Sequence, residues 1–176
     1  MLTNDLKETI APGMRTLNLI WFAFTFAVLI YAVLAWIVGG SIEVDTETAP
    51  TVMFWPLGAG VLISVLLGWV IVPRFLSPEQ LLRRGQVSAT GPVVEQTAAY
   101  ARLGEGDRRR ADHFAAIQTH FIIRWAAIES LAIYPLMALF MGIASVYWVW
   151  PVQAVVLALL LNARPDVEAE IERIKG

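Results

Sequence analysis

The sequence contains no cysteine and only two histidines, His113 and His120. The missing cysteines exclude disulfide bonds, thiol catalysis, iron–sulfur clusters and thiolate zinc sites, and two histidines are too few for a histidine-rich metal site. Charged residues are scarce too, at 16% of the chain against 57% hydrophobic residues and a mean hydropathy of +0.62. That balance is typical of integral membrane proteins, so we expect the lipid bilayer as the main partner and no bound cofactor.

The short motifs that mark common enzymes and nucleotide-binding proteins are also missing. The chain contains no P-loop, no HExxH, no GxSxG and no GxGxxG that opens a nucleotide fold. The formal net charge of −2 gives no indication of nucleic-acid binding. The sequence therefore predicts a protein that is not an enzyme and that has no nucleic acid among its partners.

Long apolar runs stand in place of these features. A helix needs about 20 apolar residues to cross the hydrocarbon core of a bilayer. Runs of this kind cover residues 17–39, 52–72, 118–141 and 145–163, and the first is too long for the apolar region of a cleavable signal peptide. We predict an all-α integral membrane protein, a bundle of four transmembrane helices that forms a single membrane domain.

The basic residues predict the orientation of the bundle. Twelve of the thirteen Lys and Arg residues fall in the N-terminal tail, in the segment 74–113 between the second and third spans, or in the C-terminal tail 164–176; the thirteenth is Arg124. The connection between the first two spans has none, and it carries Glu43, Asp45 and Glu47. Since loops rich in Lys and Arg stay in the cytoplasm, we expect both termini there, in the cytoplasmic (inner) membrane of a bacterium.

Tryptophan placement supports the same arrangement. Indole side chains prefer the boundary between lipid headgroups and hydrocarbon. Four of them fall at the predicted outer ends of the spans and three toward the inner ends: Trp36, Trp55, Trp148 and Trp150, and Trp21, Trp69 and Trp125. Two belts of this kind are expected of helices that cross a bilayer.

Three short helices are predicted outside the spans. Ser77, Pro78 and Gln80 form a helix-start pattern for a helix that reaches about Arg84. Residues 93–103 predict a second short helix, and the arginines at 108–110 predict the start of a helix that continues into the third span. The C-terminal tail, residues 166–175, predicts an amphipathic helix with one apolar face, formed by Val167, Ile171 and Ile174.

The two hairpins share one in–out–in sense, which permits an interpretation as two tandem repeats. Ile30-Tyr31 with Gly39 matches Ile133-Tyr134 with Gly142 at a common offset, and each second helix begins near a Trp-Pro pair. Apolar helices align easily, however, so an independent origin of the hairpins stays open. In this alignment Glu129 falls opposite Phe26.

Glu129 is the main candidate for function. The stretch 113–163 holds only two formal charges, Arg124 and Glu129, and two spans fit into it only if the first reaches across Glu129. A carboxylate at membrane depth costs about 2.5 kcal/mol or more, so it is seldom there without a role. Three polar residues at similar depth in the other helices complete a predicted central layer with it: Thr25, Ser64 and Gln153.

Two interpretations of this layer stay open. In the structural one, Glu129 is protonated or hydrogen-bonded and holds helices together. In the functional one, it is a proton or cation site or a contact to a partner. Arg124 either extends to the headgroups or pairs with Glu129, although five residues on a helix place them about 140° apart. His120 lies one turn before Arg124 on the same face, a pattern that suggests binding of lipid phosphate.

The stretch Ile128–Leu139 resembles the proton-carrying helix of the proteolipid (c-type) subunits of rotary ATPases, in which a glutamate precedes aliphatic residues and a Tyr-Gly-Leu-like turn. This resemblance implies an ion-carrying carboxylate at Glu129. The family lines its partner helix with glycine, whereas the first helix here carries large aromatic side chains: Trp21, Phe22, Phe24 and Phe26. The chain is also similar to small uncharacterised four-span bacterial inner-membrane proteins, which implies a fold but no activity.

Two function classes follow from these features. The first is a non-enzymatic accessory or assembly protein whose polar layer organises the bundle or docks a larger membrane complex. The second is a proton- or cation-handling subunit that uses Glu129 and works as a homo-oligomer. The spans hold no second acid and no polar stripe that would line a path, so the sequence favours the first class.

Overall fold

A computed structural model describes residues 3–41, 51–78, 80, 98–167 and 171. Every regular element in these ranges is helical, and they contain no strand. The α-helices are α1 (Asn4–Gly39), α2 (Thr51–Leu66), α3 (Val72–Phe75), α4 (Ala98–Arg102), α5 (Glu105–Phe140) and α6 (Val146–Asn162), and a π-helix (Leu67–Ile71) joins α2 to α3. The all-helical prediction is confirmed.

Three helical segments are long and apolar enough to cross a membrane: Asn4–Gly39, Trp55–Phe75 and Glu105–Phe140. The apolar helix α6 is shorter, at 17 residues. At about 1.5 Å per residue, the 36 residues of α1 or α5 extend over roughly 54 Å, well beyond a hydrocarbon core of about 30 Å. Each of these two helices therefore has a long part outside any bilayer that it crosses.

Two of the helices extend beyond the predicted spans at their N-terminal ends. The predicted spans start at Leu17 and Gln118, whereas helix α1 begins at Asn4 and helix α5 at Glu105. Hydropathy marks the part of a helix that suits lipid, and the first turns of both helices are amphipathic instead. α6 agrees closely with the predicted fourth span, and the second predicted span corresponds to α2, the π-helix and the start of α3.

The chain forms two compact units. Unit 1 comprises Met1–Ile20, Val72–Ile123 and Pro165–Gly176, and unit 2 comprises Trp21–Ile71 and Arg124–Arg164. The first parts of α1 and α5 belong to unit 1 and the remainder of each to unit 2.

Unit 1 has a hydrophobic core of its own. Apolar side chains from α1, α5 and the C-terminal tail are buried in it: Leu6, Ile10, Phe114, Ile117, Val167 and Ile171. A side chain at Gly13 would overlap the ring of Phe114, and the Gln118 amide donates a hydrogen bond of 2.9 Å to the Gly13 carbonyl. Helices α1 and α5 thus approach closely at Gly13, where only a glycine fits.

The predicted apolar face of the C-terminal tail is seen in part, since Val167 and Ile171 are buried; Ile174 lies outside the described residues. Most of the short helix predicted from Ser77 to Arg84 also lies outside them. Of the helix predicted over residues 93–103, the structure describes α4. The helix predicted to start near Arg108 is confirmed as the first part of α5.

In unit 2, α2 and α5 meet along a line of small residues. Gly60, Ser64 and Gly68 follow one another at four-residue spacing on one face of the helix. A Cβ atom at Gly60 would lie 2.5 Å from the Tyr134 ring, and one at Gly68 would lie 3.6 Å from the Cβ of Ala127. The small side chains allow close packing of the two backbones, as is common between membrane helices.

A small apolar cluster lies beside the turn after α5, where α1 and α5 end and α6 begins. Ala35, Leu136, Leu139 and Val149 are buried there, with Tyr31 and Val146 packed against them. Gly142 adopts a positive φ of 69° in the turn, which a glycine does without strain. A Cβ at Gly39 would lie 2.7 Å from the Val146 side chain, so the end of α1 and the start of α6 are close together.

Candidate functional site

Glu129 is hydrogen-bonded to a residue of another helix. The Tyr31 hydroxyl on α1 donates to Glu129 Oε1 on α5 over 2.7 Å, and both residues are half-buried. A bond to a carboxyl group is among the stronger hydrogen bonds of proteins when the carboxyl is ionised. The candidate acid is therefore engaged in a contact between α1 and α5.

A pair of serines connects α2 to α5. The Ser130 hydroxyl lies 2.7 Å from Ser64 Oγ, and Ser64 in turn donates to the Gly60 carbonyl over 2.9 Å. Ser130 also lies 2.8 Å from the Ala127 carbonyl, which competes for its single hydrogen. The partners of the two serines in these bonds are hydroxyl and carbonyl groups.

Gln153 connects α6 to α5. Its amide nitrogen donates to the Ala132 carbonyl over 2.9 Å, and only 3% of the residue is exposed. The amide oxygen is buried without a hydrogen-bond partner within the described part of the chain. An unpaired buried acceptor is costly. The hydrogen bond from the amide nitrogen to Ala132 and the packing of the side chain therefore have to offset that cost.

Two indoles hold the C-terminal end of α6. Trp21 Nε1 donates to the Leu160 carbonyl and Trp125 Nε1 to the Ala163 carbonyl, each over 2.9 Å. The last carbonyls of a helix have no partner within the helix, and these bonds satisfy two of that end's carbonyl groups. The Arg164 guanidinium lies 5.7 Å from the Trp21 ring centroid, a cation–π distance.

Thr25, a member of the predicted polar layer, makes a local hydrogen bond. Its hydroxyl donates to the Trp21 carbonyl over 2.9 Å, so it is bonded within its own helix although the residue is buried. Mid-helix threonines often satisfy their hydroxyl in this way. The described residues show no bond between Thr25 and Glu129, and their common layer stays a prediction.

His120 and Arg124 differ in their contacts. In unit 1, His120 Nδ1 lies 3.0 Å from the Leu76 carbonyl, and because a carbonyl only accepts, Nδ1 carries the hydrogen. In unit 2, the half-buried Arg124 has no hydrogen bond or ion pair with any residue that the structure describes. The alternative ion pair between Arg124 and Glu129 is therefore not formed.

The predicted polar residues Glu129, Ser64 and Gln153 are bonded to other groups rather than to one another. Glu129, Ser64 and Gln153 each take part in a hydrogen bond that ends on α5, with Tyr31, Ser130 and the Ala132 carbonyl as the other groups. Every other long helix of unit 2 thus has a polar side-chain contact to α5. Tyr31 and Ser130, which complete two of these bonds, were not among the predicted site residues, because the sequence of one helix does not show which side chain of a facing helix it meets.

The contacts described above are hydrogen bonds between helices. No group of three or more His, Asp or Glu residues that could hold a metal ion occurs in the described ranges. Glu129, the acid in these contacts, is paired with the Tyr31 hydroxyl, and its hydrogen bonds in the described part of the chain include no second acid or base. A comparison of the chain with protein-family models, with curated proteins and with solved structures finds no match.

Proposed function

We propose that this chain is a non-enzymatic accessory or assembly protein of a membrane, in which polar contacts to α5 organise the helices. The observation that carries the proposal is the Tyr31–Glu129 bond, which uses the single acid of the layer to join two helices. The contacts of Ser64 and Gln153 have the same form, since each joins a further helix to α5. A buried polar group engaged in this way supports helix association rather than turnover.

The proposal includes four membrane spans, with both termini in the cytoplasm of a bacterium. The three long apolar helices and the shorter α6 supply the spans. The distribution of Lys and Arg along the sequence supports the orientation. Large apolar side chains along α1 and α2 are exposed, as expected of surfaces that face lipid: Leu19, Phe22, Phe26, Val33, Leu62 and Ile63 among them.

A second candidate function is proton or cation handling by Glu129. Its support is that the residue is half-buried and so is not sealed within the bundle. The Tyr31 hydroxyl is also a donor that could stabilise an ionised carboxylate. The weak resemblance of this helix to proteolipid subunits points the same way. The two functions make opposite predictions for a glutamine at this position.

If the role is structural, Glu129→Gln will retain wild-type stability, because the amide oxygen still accepts from Tyr31. Tyr31→Phe and Glu129→Leu should each lower the free energy of unfolding by about 0.6 kcal/mol and at most about 1.7 kcal/mol, the range of interhelical polar contacts in membranes. The double variant should cost little more than either single variant, since both remove the same bond. Unfolding of the purified protein in mixed micelles measures these differences.

Flux measurements on the same variants separate the two candidates. The wild-type chain in sealed liposomes should carry no proton or cation current, and carbodiimide should leave Glu129 unmodified between pH 6 and 9. If the wild type carries a flux and Glu129→Gln abolishes it without loss of stability, the result would support proton or cation handling and contradict the assembly role. Carbodiimide modification at neutral pH that fades as the pH rises would point in the same direction.

The assembly role itself predicts a larger complex. In membranes solubilised with a mild detergent, we expect the chain to migrate in a particle well above its own 19.5 kDa in a micelle. Glu129→Leu should reduce the fraction in that particle, and Glu129→Gln should not, because only the former removes the acceptor for Tyr31. Migration of the wild-type chain solely as a monomer would refute the assembly role.

A further inference from the structure

We propose that unit 2 binds one zwitterionic phospholipid in a groove between α1 and α6. The acyl chain would occupy the apolar part of the groove, and the ammonium and phosphate of the headgroup would occupy an aromatic pocket at its end. The inference rests on the proposed membrane insertion. The groove, the pocket and the helix ends beside the pocket each supply a separate argument.

The groove is lined by hydrocarbon. It encloses about 410 Å³, within the range of ligand-binding cavities, and α1 contributes Val28, Leu29, Ala32, Val33 and Trp36. The α6 wall is formed by Trp150, Gln153, Ala154 and Leu157. Gln153 does not make this wall polar, because its amide nitrogen is bonded to Ala132 and its amide oxygen is fully covered. An apolar chain therefore suits the groove.

The aromatic pocket adjoins the groove and shares Trp36 and Trp150 with it. It encloses about 540 Å³, and Tyr147, Val146, Gly40 and Pro151 complete its lining. From Val28 to Gly40, α1 rises about 18 Å, close to the roughly 15 Å of one leaflet of hydrocarbon. The two cavities together match the length of one lipid that stands in one leaflet with its head at Gly40.

The pocket wall favours an ammonium group. Trp36, Tyr147 and Trp150 present three aromatic rings to one cavity, and such rings attract ammonium cations through their π faces. None of the six lining residues is charged. The pocket therefore offers no cationic side chain for a purely anionic headgroup.

Two helix ends of opposite polarity flank the pocket. α1 ends at Gly39 without a basic residue in its last turn, and α6 begins at Val146 without an acidic residue in its first turn. The end of a helix carries partial negative charge and its start carries partial positive charge. Ser145, at the N-cap of α6, makes no side-chain capping bond. An ammonium group beside the end of α1 would compensate its partial negative charge, and a phosphate beside the start of α6 would compensate its partial positive charge.

Native mass spectrometry of the purified full chain tests the proposal. The probes are phosphatidylethanolamine and phosphatidylglycerol with identical acyl chains, added to the chain in detergent. We expect one phosphatidylethanolamine per chain, retained about tenfold better than phosphatidylglycerol, and about tenfold weaker retention in Trp36→Leu and in Trp150→Leu. Ala154→Phe, which fills the groove, should reduce retention of either lipid.

Two exposed tryptophans outside the cavity linings provide matched controls. Trp55→Leu and Trp148→Leu remove the same side chain from α2 and α6, and both should retain the lipid as the wild type does. Equal loss in these controls, or equal retention of the two headgroups, would refute the site. Dimers that only Trp36→Leu and Trp150→Leu disrupt would also refute it, and would identify a second copy as the occupant.

Vesicle flotation separates failure of this site from failure of the membrane proposal. Trp36→Leu should float with vesicles as the wild type does, because the substituted side chain remains apolar. A wild-type chain that does not float would refute membrane insertion itself. A chain that floats and retains neither lipid would refute only the binding site.

Discussion

Trp125→Ala is expected to lower the free energy of unfolding by about 3–5 kcal/mol, the largest effect of any single substitution that we propose. The Trp125 side chain is fully buried, so its removal leaves a cavity that the surrounding helices fill only in part. The substitution also removes the donor to the Ala163 carbonyl at the end of α6. Reversible unfolding in mixed micelles measures the change.

Two further substitutions divide this effect into its parts. Trp125→Phe keeps much of the ring volume and removes the indole donor, so it should cost about 1–3 kcal/mol. Trp148→Ala removes an indole that is 74% exposed and should change stability by less than about 0.5 kcal/mol. A loss in Trp148→Ala as large as that in Trp125→Ala would show that the burial of Trp125 is not what matters.

Gly60→Ala should destabilise the protein by about 1–3 kcal/mol, although alanine is the better helix former. The added Cβ would lie 2.5 Å from Tyr134 Cε1 and 2.6 Å from Cζ, distances at which α2 and α5 must separate or the ring must move. Thermal unfolding of the chain in detergent, read by circular dichroism, gives the difference.

Gly58→Ala is the matched control, two residues away in the same helix. Nothing lies within 4 Å of a Cβ at that position, so alanine should be neutral or should stabilise α2 by up to about 1 kcal/mol. In a Tyr134→Leu background, Gly60→Ala should cost much less, because the ring is absent. If the two glycine variants behave alike, close packing at Gly60 is not the reason for the glycine.

The sequence was sufficient to predict the helical fold, because apolar-run length reports directly on the part of a helix that suits lipid. It predicted α6 within a residue or so at each end. It was not sufficient for the start of α1, where stability comes from Leu6 and Ile10 in the core of unit 1, whereas the arginines at 108–110 did indicate the first part of α5. The π-helix over Leu67–Ile71 has no simple pattern, since its hydrogen bonds depend on the packing around it.

The sequence predicts which residues belong to the candidate site better than it predicts their contacts. Glu129, Ser64 and Gln153 are recognisable because a polar side chain stands out in an apolar run. Their partners depend on how each helix is rotated about its axis, and the sequence of a single helix does not determine that rotation. The spacing of Gly60, Ser64 and Gly68 was a readable signal for the contact between α2 and α5.

The position of Glu129 along the chain has a consequence for biogenesis. The Tyr31 hydroxyl is synthesised 98 residues before its acceptor. At about 5–20 residues per second, this gap lasts roughly 5–20 s. During that time a group other than Glu129 has to satisfy the Tyr31 hydroxyl wherever it is shielded from water.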